Sequence, residues 1–209
     1  MGMGKPRSKR YEYTKDVFVN SRLYMGKYAD MNDPMEAFYN GNLLTMTEIS
    51  DIRNGKPNLR MCCLSRTYSD ILMWAYYADS HKGICVEVEV NDTNAKKCTV
   101  EYDKHLYQPQ NHSTTTIYEI MSHKLQPWRN EQEIRYLRNL NYGDDSIQFL
   151  DVRINRVFVG CLLSKTDVII YQKRIKRWLK QNGYANVPII QVQRGDLTYW
   201  NGRNRSPLF

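Results

Sequence analysis

The segment ICVEVEV at residues 84–90 is the feature that most constrains the fold. Apolar and polar side chains alternate along it without interruption, which is the pattern of a strand with one buried face and one polar face. Four side chains share the apolar face, and we expect them to point into a core: Ile84, Val86, Val88 and Val90. The chain must therefore supply a sheet and something apolar to cover it.

Further strands are predicted at 10–14, 21–28, 58–65, 97–102, 128–137, 150–163 and 187–193, and helices at 31–42, 67–83, 114–125 and 166–183. The NDTNA turn predicts that 97–102 pairs with 84–90. Because helices and strands follow one another without a regular strand–helix–strand rhythm, we expect an α+β fold with a mixed, mostly antiparallel sheet flanked by helices. A length of 209 residues suits a single domain over 10–209, preceded by a basic, mobile arm at 1–9.

The predicted helix at 31–42 has a complete start signal. Asp33 can serve as the N-cap, Pro34 as the first helical residue and Glu36 as the return partner of a capping box. This interpretation gives Asp33 and Glu36 a purely structural role and leaves only Asn32 unexplained.

A net charge of +8 favours anionic partners, with nucleic acid first and acidic proteins or anionic lipid headgroups behind it, although solubility alone also accounts for such a charge.

The five cysteines lack a C-x-x-C spacing and are typical of reduced, buried residues in a cytoplasmic protein. The four histidines lack paired-ligand spacing, so no metal is expected. The sequence has neither a secretory signal nor 18 consecutive apolar residues, so we expect no segment that spans a membrane and no membrane as partner.

The predicted helix at 166–183 has one basic face. Its members recur at helical spacing: Lys173, Lys176, Arg177 and Lys180. Such a face is either simply solvated or a track for phosphates. Together with the basic arm, it makes RNA or single-stranded DNA the first macromolecular partner to consider.

The stretch WRNEQEIRYL at 128–137 raises a chemical question. On a strand, Glu131, Glu133 and Arg135 would share one face, while Ile134 and Tyr136 would anchor the other face in the core. Two carboxylates side by side cost free energy unless they are compensated or used. Arg135 could compensate them at a solvent-facing strand edge, or the pair could carry chemistry.

Four stretches stand out by their order and spacing: NDPMEAFY (32–39), CCLSRTYSDILMWAYYADSHKGICVEVEV (62–90), HKLQPWRNEQEIRYL (123–137) and INRVFVGCLLSK (154–165). Together they resemble the bacterial and phage-associated family catalogued as domain of unknown function 2971. The resemblance covers roughly residues 10–195. Leu64 departs from it, since the family commonly has Phe before the serine.

The sequence also predicts an early strand with Tyr and Arg, a strand that ends in Ser65 and is followed by a helix with Tyr77, and a late Glu-x-Glu strand. This layout is similar to that of ADP-ribosyltransferases of the Glu-x-Glu type. That resemblance implies an enzyme with NAD as substrate, in which Glu133 contacts the NAD ribose and Glu131 serves the acceptor. Cleavage of the nicotinamide–ribose bond passes through an oxocarbenium-like transition state, which a fixed carboxylate stabilises. The chemistry therefore gives a reason for two carboxylates at this spacing.

The same resemblance implies the rest of a site. Ser65 would brace the catalytic glutamate, although a strand-end turn explains it equally well. The other implied NAD-binding residues are Arg10, Tyr11 and Tyr13 at the adenylate end, with Asn32, Trp74 and Tyr77 along the pocket. Core packing is the alternative role for Trp74. Lys124 and Trp128 would flank the acceptor.

By the same resemblance, the protein would be a toxin or phage-defence effector with an antitoxin or chaperone as partner. Two other classes remain open: a non-catalytic nucleic-acid-binding module, and a hydrolase that is either an NAD glycohydrolase or a nuclease. A metal-dependent nuclease is least favoured, since Asp144-Asp145 is the only adjacent aspartate pair and reads as a turn.

Overall fold

The computed structural model describes residues 7–109, 116–184, 186–200 and 205–207. Its helices are α1 (Arg7–Asn20), α2 (Met46–Gly55), α3 (Ile71–Tyr77), α4 (Thr116–Ile120) and α5 (Lys165–Gln181). Its strands are β1 (Arg22–Lys27), β2 (Leu59–Ser65), β3 (Ile84–Val90), β4 (Lys96–Thr99), β5 (Glu101–Asp103), β6 (His123–Leu125), β7 (Glu133–Asn139), β8 (Gln148–Val159), β9 (Ile189–Gln191), β10 (Thr198–Trp200) and β11 (Arg205–Pro207). Short 3-10 helices cover Tyr28–Asp30, Lys56–Asn58, Gln126–Glu131 and Arg194–Asp196.

The predicted α+β class is confirmed, because helices and mostly antiparallel strand pairs are mixed along the chain. The described residues group into two compact units. The first unit comprises those up to residue 23, 67–92 and 151 onward, and the second comprises 24–66 and 93–150. No helix in the described part of the chain is long and apolar enough to cross a membrane.

In the first unit, β8 pairs antiparallel with β3 and parallel with β9. Three of the four predicted inward side chains of β3, Ile84, Val86 and Val88, pack against a core formed by α1, β8 and α5. Ser164 begins α5 by accepting a hydrogen bond from the backbone N–H of Asp167, at 3.1 Å. The apolar stripe of α5 lies inward, so the period of this helix was predicted correctly.

The predicted strand at 10–14 is wrong, since these residues belong to α1. The physical reason lies further along the helix, where Phe18 is fully buried and its ring stacks on Trp178 at 5.9 Å between centroids. Packing of this end stabilises a helix whose start alternates polar and aromatic residues and so imitates a strand. Residues 1–6 of the predicted arm lie outside the described residues, and residues 7–9 are helical.

In the second unit, β1, β2, β7 and β4 form an antiparallel series in that order, and β5 pairs parallel with β6. The predicted pairing of 97–102 with β3 is wrong, because β4 pairs with β7. The β2–β7 register places Ser65 opposite Glu133, Cys63 opposite Arg135 and Met61 opposite Leu137. The helix predicted at 114–125 ends at Ile120, before β6 begins.

The predicted helix at 31–42 is replaced by a turn. Asp33 accepts a hydrogen bond from the backbone N–H of Met35 at 2.9 Å, as a cap would, but Ala37 has a left-handed φ of 54° that stops any helix. Glu36 therefore does not fold back onto a helix start, and the structure contradicts its capping role. Its side chain is buried.

Candidate active site

The face of β7 that carries charge is the buried one. Glu133, Arg135 and Leu137 are buried, whereas Ile134 and Tyr136 are only half-buried. The expectation that Ile134 and Tyr136 anchor the strand in the core is therefore wrong. A charged face can be buried here because its charges are compensated within the protein.

Arg135 is fully buried and binds two carboxylates. Its Nε and Nη2 atoms lie 2.9 and 3.0 Å from the two oxygens of Glu133, and its Nη1 and Nη2 atoms lie 2.7 and 3.1 Å from those of Glu36. Nη1 also donates to the carbonyl of Met121 at 2.6 Å. Paired bonds of this kind between a guanidinium and a carboxylate are strong and fix orientation.

Lys124 supplies the second cation from β6. Its Nζ atom lies 2.7 Å from Glu131, 3.5 Å from Glu133 and 3.9 Å from Glu36. The ammonium also lies 4.5 Å from the ring centroid of Trp128, a cation–π distance. Lys124 thus contacts all three carboxylates.

Glu131 approaches Lys124 from a 3-10 helix, which the sequence did not predict. It is the last residue of the 3-10 helix Gln126–Glu131, and Gln132 follows with a left-handed φ of 45°. The strand begins only at Glu133, so the expectation that Glu131 and Glu133 share a strand face is wrong. The two carboxylates nevertheless meet at Lys124.

We call these residues the buried charge cluster: Glu36, Lys124, Glu131, Glu133 and Arg135. Its three carboxylates and two cations leave one net negative charge. Glu36 is the member that sequence reasoning missed, because the capping box explained it completely. The available signal was its place in the Asn-Asp-Pro-x-Glu pattern at 32–36, which belongs to the family resemblance.

The surroundings shift the pKa values of the cluster members in different directions. Burial alone would raise the pKa of Glu133, but Arg135, Lys124 and a hydrogen bond from Cys63 together hold it below the ordinary value of 4.5. Burial dominates at Glu36 and raises its pKa despite Arg135 and Lys124. Burial would lower the pKa of Lys124, yet the carboxylates raise it. Glu133 is therefore an ionised, buried carboxylate at neutral pH.

Glu133 lies next to the protein surface of this unit. Cys63 hydrogen-bonds its carboxylate and is itself exposed, and the backbone N–H of Glu133 donates to the Tyr102 hydroxyl at 2.8 Å. On another side, a cleft of only about 10 Å³ reaches Lys124. Cys63 is thus an exposed residue that is hydrogen-bonded directly to the Glu133 carboxylate.

The structure places the other predicted site residues as follows. Asn32 is exposed, and Ser65 is half-buried at the end of β2 opposite Glu133. In the first unit, Trp74 is buried and its ring N–H donates to the Tyr68 carbonyl at 2.5 Å, which fits core packing. Tyr77 is half-buried beside Tyr76.

Three residues were expected on a first strand, and that part of the prediction is corrected. Arg10, Tyr11 and Tyr13 lie in α1, where the side chain of Tyr13 is 36% exposed. The side chains of Arg10 and Tyr11 lie outside the described residues. Lys173, Lys176, Arg177 and Lys180 are all exposed along α5, at the predicted spacing.

Comparison of the chain with protein-family models, with curated proteins and with solved structures found no match in any of the three. The resemblance to domain of unknown function 2971 and to ADP-ribosyltransferases therefore stays a prediction. Among the described residues, no group of three or more His, Cys, Asp or Glu side chains is arranged to hold a metal ion.

Replacement of Arg135 by Met should destabilise the protein by about 3–5 kcal/mol, because it leaves Glu36 and Glu133 buried with only Lys124 to compensate them. Urea denaturation measures the change. Arg153, which pairs with Glu89 on exposed strand positions, gives the matched control, and Arg153→Met should cost at most about 1 kcal/mol. Equal costs for the two variants would contradict the importance of the cluster.

Stability should also depend on pH through Glu133. Its folded-state pKa lies below 4.5, so its contribution is present above that pH and is lost as the pH falls through the folded-state value. Urea denaturation from about pH 7 to about pH 3 should show a shallower decline for Glu133→Gln than for the wild type. Identical slopes would mean that Glu133 is not held ionised.

Proposed function

We propose that the protein is an NAD-dependent ADP-ribosyltransferase in which Glu133 is the catalytic carboxylate. The observation that carries the proposal is the state of Glu133: buried, bound in a paired geometry by Arg135, and kept ionised next to the surface at Cys63. An ionised carboxylate in a fixed place is what an oxocarbenium-like transition state requires.

The cost of the cluster supports a functional role. A buried ion network is weak evidence for stability, since well-packed apolar residues of similar volume are often as stabilising. Five buried charges meet beside the start of β7, from elements as separate in sequence as 33–37, 123–125 and 131–135. Since stability alone explains such a cluster poorly, it supports a functional role. Clusters of groups whose pKa values are shifted in opposite directions, as for Glu133 and Glu36, are typical of active sites.

The residues around Glu133 then have distinct roles. Arg135 and Glu36 are positioning residues, because the Arg135 guanidinium binds both carboxylates and so fixes the orientation of Glu133. Glu131 is held by Lys124 at 2.7 Å and would orient or deprotonate the acceptor. NAD would approach from the side of Cys63 and Ser65, since Cys63 is an exposed residue bonded to Glu133 and Ser65 lies opposite Glu133 on β2.

The acceptor that we favour is RNA or single-stranded DNA, with protein as the other class. The basic face of α5 supports this choice, because its four cations are exposed together. A toxin or phage-defence setting in the cytoplasm, with an antitoxin or chaperone that restrains the enzyme, belongs to the same proposal.

The test is incubation with labelled NAD and RNA, single-stranded DNA or lysate protein. Glu133→Ala should reduce label transfer by at least about 100-fold, because it removes the preorganised charge. Glu87→Ala is the matched control, since Glu87 lies on β3 with a side chain 42% exposed, and it should leave transfer unchanged.

Two results would contradict the proposal in different ways. Transfer that persists in Glu133→Ala would overturn the assignment of the catalytic residue. Absence of NAD turnover by the wild type with every acceptor would overturn the activity itself.

The exposed basic face favours a second candidate, a non-catalytic nucleic-acid-binding module. Removal of two of its charges in Lys176→Gln/Arg177→Gln should lower the slope of log K against log salt for RNA binding by about two. The double variant Lys97→Gln/Lys104→Gln, at exposed positions of the second unit, is the charge-matched control. An unchanged slope in the α5 variant would exclude this face as the contact surface, and RNA binding without NAD turnover would favour this candidate.

A further inference from the structure

The second unit contains a cavity of about 280 Å³. Its walls come from the 3-10 helix Tyr28–Asp30, from α2 and from the 3-10 helix Lys56–Asn58. Two isoleucines, two tyrosines and a proline give it an apolar interior, and two cations complete the lining: Tyr28, Tyr39, Ile49, Ile52, Arg53, Lys56 and Pro57.

Lys56 is a half-buried cation in this cavity. Its ammonium lies 5.3 and 5.2 Å from the ring centroids of Tyr28 and Tyr39 and donates to the carbonyl of Ala37 at 2.8 Å. Within the described part of the chain, no carboxylate forms a salt bridge with it. Burial lowers the pKa of Lys56, although the charge of Glu36 opposes this shift, so the ammonium is incompletely compensated.

Arg53 adds a second positive charge at the end of α2. Burial raises the pKa of the Tyr39 hydroxyl, and the Arg53 guanidinium is close enough to oppose part of this rise. Arg53 is exposed and, like Lys56, has no salt bridge to any described carboxylate. Two cations that form no salt bridge with a described carboxylate therefore line one apolar cavity.

The walls of the cavity are fixed by the backbone beside it. The Tyr28 hydroxyl donates to the carbonyl of Glu36 at 2.9 Å, and Lys56 donates to the next carbonyl, that of Ala37. Ile52 is 5% exposed and forms part of the core of this unit. A cavity held in this way is preformed, which reduces the free-energy cost of binding.

We propose that this cavity binds a small amphipathic anion, with one phosphate or carboxylate group at Lys56 and Arg53 and an apolar or aromatic body against Ile49 and Ile52. The volume is near the lower end of ligand pockets, roughly 300 Å³, so a single ring with one anionic group fits and a dinucleotide does not. The inference does not depend on ADP-ribosyl transfer, and it assigns a second site to the chain.

The probe is phenyl phosphate, with phenol and inorganic phosphate as its two separate halves. Binding is followed by NMR of protein labelled at isoleucine methyl groups, because Ile49 and Ile52 line the cavity. Phenyl phosphate should shift these two methyl signals and bind at least about tenfold more tightly than either half. If phenol or inorganic phosphate binds as tightly as phenyl phosphate, the amphipathic site is excluded.

Variants then locate the anion. Lys56→Met and Arg53→Gln should each weaken phenyl phosphate binding by about tenfold or more, since each removes a charge-assisted contact. Arg53 is exposed, so Arg53→Gln keeps the test valid if Lys56→Met fails to fold. Lys104→Met, at an exposed position outside the cavity, is the matched control and should bind as the wild type does. Unchanged binding by Arg53→Gln, or shifts that avoid Ile49 and Ile52, would overturn the proposal.

Discussion

The second unit depends on one interaction, the binding of two carboxylates by the Arg135 guanidinium. It connects β7 to the turn at 33–37 through Glu36 and to the residue after α4 through the Met121 carbonyl. Neither the Arg135 guanidinium nor the two carboxylates could be buried alone, since an unpaired ion in the interior costs several kcal/mol. The interaction therefore decides which face of β7 is buried.

The same interaction shapes the chemistry available to the site. Arg135 and Lys124 compensate Glu133 enough to lower its pKa, while Glu36 remains the carboxylate whose pKa is raised. The pKa values of the two carboxylates bound by Arg135 are thus shifted in opposite directions, and that of Glu133 is the lowered one. Glu133 is therefore a fixed anion beside Cys63, which is the element that an oxocarbenium-like reaction would use.

The sequence predicted the elements whose patterns are long and regular. The alternation of 84–90 and the apolar stripe of α5 each reflect one dominant partner, the core of the first unit, so local periodicity was enough. The segments 10–14 and 31–42 failed for a common reason: their local signals were clear, but distant contacts of Phe18 and Glu36 outweighed them. The pairing of β4 with β7 is equally non-local, and the sequence of the NDTNA turn before β4 does not indicate it.

The candidate site followed the same rule. Glu131, Glu133, Arg135 and Lys124 were found because they lie within one short stretch, whereas Glu36 is about a hundred positions away and had a sufficient local explanation. Burial of the charged face of β7 could not be predicted either. It depends on the Glu36 carboxylate, which lies outside this strand and binds Arg135.

The central claim is that Glu133 is buried and ionised while Glu36 is the more basic carboxylate. NMR titration of protein labelled at the glutamate carboxyl carbon measures both groups directly, with Glu133→Gln and Glu36→Gln used for assignment. Glu133 should titrate below 4.5 and Glu36 above it. Titration of Glu133 at or above the value of Glu36 would show that Arg135 and Lys124 do not hold Glu133 ionised.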